Sequence, residues 1–320
     1  MSSRRRLSGC EGWPIVIQIV VRGSLPRLPI LKARCVCDPE ALVDIARRLE
    51  KSGGHLCEEA DRFSLILHDL RMGGAWKRTN RGRLRRTEEM LCAHIDPELR
   101  AGMTFLDLGA SDGITTLEAL HTLRRAFGDD VTALLGDLNL ALSRYRRGPV
   151  VEYRAGDGEP VMARFGPIGV RLSRSRRSPR DGSPLARLYM QLERFRRSMR
   201  EEAPISLVHP LVRREPGIAA IELDCLVRED SLRGRLAAVR ASNVLNLGYF
   251  ERPQLYQAVG NLHSYLRDGG CFVVSRNHDE RGGETENGSV WVKEGGRFRR
   301  CADFGDGSEI GPLVDDWRTN

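Results

Sequence analysis

The chain has 320 residues, 41% of them hydrophobic, 29% charged and 6% aromatic. That length supports one substantial core together with a smaller unit or a large insertion, and the composition excludes a chain that is disordered throughout. The formal net charge of +8 rests mostly on arginine, since Lys32, Lys51, Lys77 and Lys293 are the only lysines, and it favours acidic partners.

At the amino end, Arg4-Arg-Arg6 before the apolar run Ile15 to Val21 imitates a secretion signal, but Gln18 interrupts the run and no small-residue cleavage site follows. Leu7-Ser-Gly-Cys10 imitates a lipoprotein box without a hydrophobic segment before it. No run is long enough to span a bilayer, so a cytoplasmic protein without membrane attachment is expected. Residues 1–37 read as a poorly defined tail. The eight cysteines, at positions 10, 35, 37, 57, 92, 225, 271 and 301, show neither a Cys-x-x-Cys pair nor companion histidines, and are read as free thiols without a metal.

Residues 38–100 read as a helical and basic segment. Asp38-Pro-Glu40 supplies an N-cap, a first-turn proline and a first-turn acid, and Leu42, Ile45, Ala46 and Leu49 form one apolar face. After Gly53-Gly54, the residues Leu56, Phe63, Ile66, Leu67 and Leu70 repeat the helical spacing as far as Gly73-Gly74. The basic stretch Trp76 to Arg86 is either a solvated linker or a surface for an acidic substrate or nucleic-acid backbone. Thr87-Glu-Glu89 reads as a capped helix start.

Residues 101–320 carry the main pattern. Phe105 to Leu108 has the length of a buried strand, and Leu117, Leu120 and Leu123 recur at helical spacing after the turn Gly109-Ala-Ser-Asp-Gly113. Gly109 and Gly113 permit close backbone approach at a helix start, while Asp107 and Asp112 place carboxylates at the same edge. Acids there suit a ligand with ammonium or ribose hydroxyl groups better than a bare pyrophosphate. A second strand, Val131 to Leu135, delivers Asp137 at βαβ spacing, where a carboxylate can accept both hydrogen bonds of a ribose diol.

An insertion over 138–217 then interrupts the pattern. Val150 to Arg154 and Val161 to Leu172 read as antiparallel strands around Gly156-Asp-Gly158, followed by an arginine-serine run over Arg171 to Arg180 and a helical stretch from Leu185 to Met199. The insertion could form a lid or substrate surface, and its arginines could touch RNA. Alternating patterning returns with Ile218 to Cys225, with Leu236 to Ala241, with a helix over Gln254 to Leu266, and with the strand Cys271 to Ser275 after Gly269-Gly270. Val290 to Val292 and Phe298 to Cys301 suggest a closing antiparallel hairpin.

Thr104 to Gly113, Asp137, and the helix, Gly-Gly turn and strand around 254–275 resemble class I S-adenosylmethionine-dependent methyltransferases, with Ser111 where the middle glycine of their first motif falls. The resemblance implies an α/β fold with a Rossmann-like, mostly parallel sheet, here joined to a small N-terminal helical unit and a β-rich insertion after strand two. It implies S-adenosylmethionine as cofactor, held by Asp107, Gly109, Ser111, Asp112, Gly113 and Asp137, with the adenine read by Asp224 and the Cys225 amide; Asp157 is a lower-ranked candidate for the adenine. The substrate, a small-molecule or protein methyl acceptor, is expected beyond the fourth strand, with Asn243 and Asn246 as orienting groups or as loop hydrogen bonders. Asn243-Val-Leu and Tyr249-Phe250 are partly similar to chemotaxis receptor glutamate methyltransferases, although Ser242 stands where that family has arginine. Methyl transfer needs alignment more than a covalent dyad, so no catalytic residue is singled out. Two other functions remain open: an RNA methyltransferase using the arginine-rich segments, and a serine hydrolase, since Gly109-Ala-Ser-Asp-Gly113 also fits a nucleophile elbow centred on Ser111.

Overall fold

A computed structural model of the chain describes residues 15–21, 39–51, 57–68, 70–72, 75–77, 79–156, 158–165, 168–174, 195, 197–280 and 283–319. The string at 7–10, Asp157, and most of the arginine-serine run Arg171 to Arg180 and of the helix expected over Leu185 to Met199 lie outside the described residues. In chain order the elements are β1 (Ile15–Val21), α1 (Pro39–Lys51), α2 (Cys57–His68), β2 (Arg71–Met72), β3 (Ala75–Trp76), α3 (Arg85–His94), β4 (Thr104–Leu108), α4 (Ile114–Phe127) and β5 (Thr132–Asp137). These are followed by β6 (Ala141–Arg147), β7 (Val150–Arg154), β8 (Pro160–Phe165), β9 (Ile168–Arg174), β10 (Arg200–Ser206), α5 (Pro210–Arg214), β11 (Ile218–Glu222), β12 (Leu236–Ser242), α6 (Arg252–Tyr265), β13 (Leu266–Glu280), β14 (Gly283–Glu294), β15 (Arg297–Phe304) and α7 (Gly311–Asp316).

Two compact units divide the chain: residues 1–41 with 141–205, and residues 42–140 with 206–320. In the first, six strands run in the order β1-β9-β8-β7-β6-β10. The β-rich insertion is therefore an antiparallel sheet, and the run Ile15 to Val21 adds an edge strand to it, antiparallel to β9 from Ile15↔Arg174 to Val21↔Ile168. Such an edge strand has no sequence-local partner, which is why the run reads as part of a tail until its pairing is known. Within this unit Arg144 links Glu40 at 3.0 Å and Glu202 at 3.0 Å, and Tyr153 donates to Glu40 at 3.0 Å.

The second unit is built on a seven-stranded sheet of order β11-β5-β4-β12-β13-β14-β15. The first five are mutually parallel, and β14 and β15 close the edge as an antiparallel meander. A meander leaves no room for a helix between the last strands, in keeping with the short Glu294-Gly-Gly296 connection. Alternation along the strands feeds two cores. Phe105, Ala238, Cys271 and Val273 pack with Leu91, Leu120 and Leu123 of α3 and α4 on one face, while Leu106, Val239, Phe272 and Trp291 pack with Leu255, Val259 and Leu262 of α6 on the other. Helices on both faces of a parallel sheet give the doubly wound Rossmann-like arrangement.

The amino-terminal helices follow their patterns: Leu42, Ile45 and Leu49 of α1 are buried, as are Phe63 and Leu67 of α2. Thr87 differs from the expectation. The helix α3 starts two residues earlier, and the buried Thr87 hydroxyl bonds Ser275 at 3.0 Å and Glu286 at 2.7 Å instead of capping its own turn. A tertiary acceptor has outcompeted the local one. Among the described residues no helix is long and apolar enough to cross a membrane, no group of three or more His, Cys, Asp or Glu side chains could hold a metal, and Cys92, Cys225, Cys271 and Cys301 are free thiols.

Candidate functional site

The strand order reverses between β4 and β12: from β4 the chain proceeds to β5 and β11 on one side, and from β12 to β13 on the other. Ligands of open α/β sheets bind at the carboxyl ends of the strands at such a reversal. Here that edge carries the turn 109–113, Asp137, the 223–225 turn and the loop 243–250.

The turn leaves β4 with the Gly109 amide donating to the Gly136 carbonyl at 2.7 Å, passes Ser111 at φ 61° and Gly113 at φ 83°, and enters α4. A Cβ on Gly113 would lie 2.1 Å from Leu135 Cδ1, and one on Gly109 would lie 2.7 Å from Val244 Cβ. The two glycines therefore admit protein side chains, Leu135 from β5 and Val244 from the loop after β12, and so set how tightly α4 and that loop approach the sheet. Ser111 is buried, and its Oγ has no hydrogen-bond partner among the described residues.

Each acid of this edge already has partners. Asp107 is the cross-strand neighbour of Arg240, and the pair is bidentate: Arg240 Nε donates to Oδ1 at 2.9 Å and Nη2 to Oδ2 at 2.6 Å. Thr116 adds a third bond to Oδ2 at 2.6 Å. The Arg240 side chain is 0% exposed and that of Asp107 3%. Burial opposes the Arg240 charge, yet the carboxylates of Asp107 and Glu88 outweigh it and hold its pKa above the ordinary arginine value. Glu88, with Oε1 at 3.5 Å from Arg240 Nη1, is pushed up by burial against the lowering effect of Arg240.

Asp112 accepts from Ser64 Oγ at 2.5 Å and from the Ile114 amide at 3.0 Å, which fixes the first turn of α4. Its carbonyl receives the His209 amide at 2.8 Å. His209 accepts the Leu211 amide at Nδ1 (3.1 Å) and lies with Nε2 3.2 Å from the Ala60 carbonyl, an arrangement that places the proton on Nε2 of a neutral ring. Burial pushes its pKa down, against the pull of Asp112.

Asp137 ends β5. Its Oδ2 accepts the Ser111 amide at 2.8 Å and its Oδ1 the Asn139 amide at 2.9 Å. Lys77, just after β3, forms a buried ion pair with Oδ1 and donates to the Asn139 carbonyl at 2.8 Å. Strand β11 runs beside β5, and the Leu223 amide donates to the Asp137 carbonyl at 3.0 Å, which brings Asp224 and Cys225 to the same edge. Asp224 Oδ1 accepts the Leu226 amide at 2.9 Å, leaving Oδ2 without a partner among the described residues. Cys225 is buried, its thiol pushed up to about 12 by burial and by Asp224, and its carbonyl is held by Asn261 at 2.8 Å.

Across the reversal, Asn243 sits at φ 62° and exchanges side-chain bonds with Asn277, at 2.9 Å to Oδ1 and 2.8 Å from the amide. Asn246 accepts the Gly248 and Tyr249 amides at 3.0 and 3.1 Å and so shapes its own loop. Both asparagines are tied to protein groups.

The fold thus collects Asp107, Gly109, Ser111, Asp112, Gly113, Asp137, Asp224 and Cys225 at the ends of three adjacent strands, with Asn243 and Asn246 beyond the fourth. Sequence reasoning missed Arg240 and Lys77. Arg240 had a signal, a charge inside the otherwise apolar run Leu236 to Ala241, where burial demands a counter-charge. Lys77 had none, because nothing local distinguishes it within a basic stretch.

No family model matches the chain, and no curated protein matches it. Among solved structures, a geranyl diphosphate methyltransferase in complex with S-adenosylmethionine is 14% identical over 76% of this chain and 60% of its own, at a TM-score of 0.28. The trans-methyltransferase CalH in complex with S-adenosylhomocysteine is 12% identical over 75% of this chain and 46% of its own, at 0.30. The sugar N-methyltransferase KedS8 from Streptoalloteichus is 12% identical over 69% of this chain and 75% of its own, at 0.29. The chain spans about half the length of the geranyl diphosphate methyltransferases it matches, 44% of one structure and 60% of the other. Likeness at this level assigns no residue role and no acceptor.

Proposed function

We propose that the chain is an S-adenosylmethionine-dependent methyltransferase acting on a small-molecule or protein acceptor. The observation that carries this reading is the carboxylate of Asp137 at the end of the second parallel strand, one strand from the free Oδ2 of Asp224, at the carboxyl edge beside the reversal of strand order. A ribose diol and an exocyclic amine are what two carboxylates at that spacing in the fold suit. For the adenosine half of the cofactor, Asp137 Oδ1 is taken by Lys77 and the Asn139 amide, whereas Oδ2 accepts the Ser111 amide alone and keeps a lone pair for a ribose hydroxyl, and Asp224 Oδ2 suits the exocyclic amine. The amino-acid half would meet the unpartnered Ser111 Oγ and the backbone of the turn, because Asp107 is consumed by Arg240 and Asp112 by Ser64 and its own helix.

S-adenosylmethionine, when bound, supplies a methyl group activated on a sulfonium. The chain's contribution is positional: Asp137 and Asp224 orient the adenosine, the glycine turn fixes the start of α4, and the loop 243–250 bounds the acceptor side. The leaving group is neutral, so alignment and exclusion of water suffice without a strong acid-base pair. A serine hydrolase requires a base bonded to the nucleophile, and Ser111 Oγ has no partner.

Calorimetric titration with S-adenosylmethionine and S-adenosylhomocysteine, run alongside Asp137→Ala and Ser111→Ala, tests the reading. Binding that weakens at least tenfold in Asp137→Ala and survives in Ser111→Ala is expected. Absence of binding to the folded wild-type protein would sink the proposal.

A further inference from the structure

A cavity lies at the end of the sheet opposite the candidate cofactor edge. It is about 690 Å³ in volume and is lined by residues from the 228–233 segment, the carboxyl half of α6, the β14–β15 turn and the segment after α7. The Gly234 amide donates to the Ser264 carbonyl at 2.9 Å and the Arg235 amide to the Tyr265 carbonyl at 3.0 Å, just before β12 begins at Leu236. The cavity thus sits at the amino end of β12 and the candidate cofactor edge at its carboxyl end, about 20 Å apart over seven residues of strand.

Its chemistry is one-sided. Four basic side chains, Arg228, Arg233, Lys293 and Arg318, line it, and its lining among the described residues contains no Asp or Glu. Lys293 donates to the carbonyls of His263 and Leu266 at 2.9 and 2.8 Å, with the Asp268 carboxylate, which accepts the Gly295 amide at 2.8 Å, as its nearest acid, and Arg318 donates to the Trp317 carbonyl at 2.7 Å. Arg228 has an exposed carboxylate neighbour, Asp230, at 2.8 Å, a pair that solvent screens. The wall is aromatic: Tyr256 and Trp317 lie 6.3 Å apart, and the His263 ring lies 4.4 Å from Trp317 and edge-on to Phe298 at 5.0 Å.

His263 belongs to the wall of the cavity. Only 4% of it is exposed, it lines the cavity, and its Nε2 is buried without a hydrogen-bond partner. Burial and the neighbouring Lys293 push its pKa down to about 4, against the backbone hydrogen bonds at Gly295 and Arg297, so the ring adds an apolar, uncharged face to the wall.

We infer that this cavity is a second binding site, for a nucleoside phosphate: the arginine and lysine cluster takes the phosphate, and the Tyr256–Trp317 wall takes the base. A site of this size accommodates a ligand of that class, and guanidinium groups match phosphate geometry. The inference goes beyond the proposed methyl transfer and does not depend on it.

The test uses the full-length protein with uridine 5′-monophosphate and inorganic phosphate as probes, followed by calorimetry and by indole fluorescence. Uridine is chosen so that an adenosine site elsewhere does not take it up. Saturable binding of the nucleotide, tighter than that of phosphate, is expected, with affinity reduced at least tenfold in Arg228→Ala/Arg233→Ala and retained in Asp137→Ala. The fluorescence response should vanish in Trp317→Phe, and thermal melts verify that each variant is folded. No binding of either probe at millimolar concentration, or unchanged nucleotide affinity in the folded double-arginine variant, overturns the assignment.

Discussion

The buried pair between Asp107 and Arg240 sets the largest single-residue effect expected in the parallel sheet. Asp107→Asn keeps the shape of the side chain and removes its charge. Arg240 then remains 0% exposed, with the neutral amide oxygen at 107, Glu88 at 3.5 Å and the Thr115 carbonyl at 2.9 Å as its acceptors, and without its bidentate counter-charge. Removing one member of a buried, bidentate pair costs about 3–5 kcal/mol, because it strands the other charge away from water. Against a total stability of about 5–15 kcal/mol, this is a large fraction, and at roughly 2–4 °C per kcal/mol for a large domain it lowers Tm by about 6–20 °C. The double replacement Asp107→Leu/Arg240→Met removes both charges together and should recover more than half of the loss, since an apolar pair of similar volume is often neutral at such a site. Urea denaturation followed by far-ultraviolet circular dichroism, carried through the complete double-mutant cycle, measures the coupling. An Asp107→Asn protein within about 1 kcal/mol of wild type would refute the reasoning, since it would mean that the guanidinium finds other acceptors or water. A tenfold or greater loss of S-adenosylmethionine affinity in a still-folded Asp107→Asn protein would refute the companion conclusion, that this acid is spent on the sheet and not on the cofactor.

Three further outcomes follow from the same geometry. Gly113→Ala places a Cβ 2.1 Å from Leu135 Cδ1 at a φ of 83°, so chemical denaturation should show a loss of at least about 2 kcal/mol from left-handed strain and overpacking together. Lys77→Met removes a cation beside Asp137, which keeps the Ser111 and Asn139 amides; stability should fall by about 3 kcal/mol. If the cofactor assignment holds, S-adenosylmethionine should gain affinity relative to S-adenosylhomocysteine in that variant, because the sulfonium no longer faces an ammonium; calorimetry with both ligands reads the ratio. For pH, His263 and His209 both have folded values below their ordinary 6.5, so the unfolded chain takes up protons first as the solution is acidified. Their contribution to stability is complete above about pH 6.5 and declines as pH falls, toward about 4 for His263 and in the same direction for His209, by at most about 1.4 kcal/mol per pH unit for each ring. His263→Gln should flatten that decline in a series of melts, and an unchanged slope would show that the histidine does not titrate in this way.

Much of the parallel sheet was legible in the sequence because its determinants are local. Phe105 to Leu108, Leu236 to Ala241 and Cys271 to Ser275 are apolar runs of strand length, the leucines of α4 and α6 keep helical spacing, and glycines mark the turns between. The same periodicities located Asp107 and Asp137 at strand ends, and local composition identified the insertion as β-rich. What those acids do was decided by partners distant in the chain. Arg240, 133 residues from Asp107, turns an apparent ligand group into half of a cross-strand ion pair, and Lys77, 60 residues from Asp137, already sits on the carboxylate expected to hold a ribose. Thr87 gives up its local cap for Ser275 and Glu286, 188 and 199 residues away. The pairing of Ile15–Val21 with the far edge of the insertion depends likewise on register between remote segments. The sequence by itself determined which segments are strands and helices and where polar groups punctuate them, because backbone propensity and hydrophobic period act over a few residues. The tertiary structure alone decided which charges neutralise one another and which polar atoms, such as Ser111 Oγ, find no partner among the described residues, because hydrogen bonds and buried ion pairs depend on distances that only the folded chain fixes.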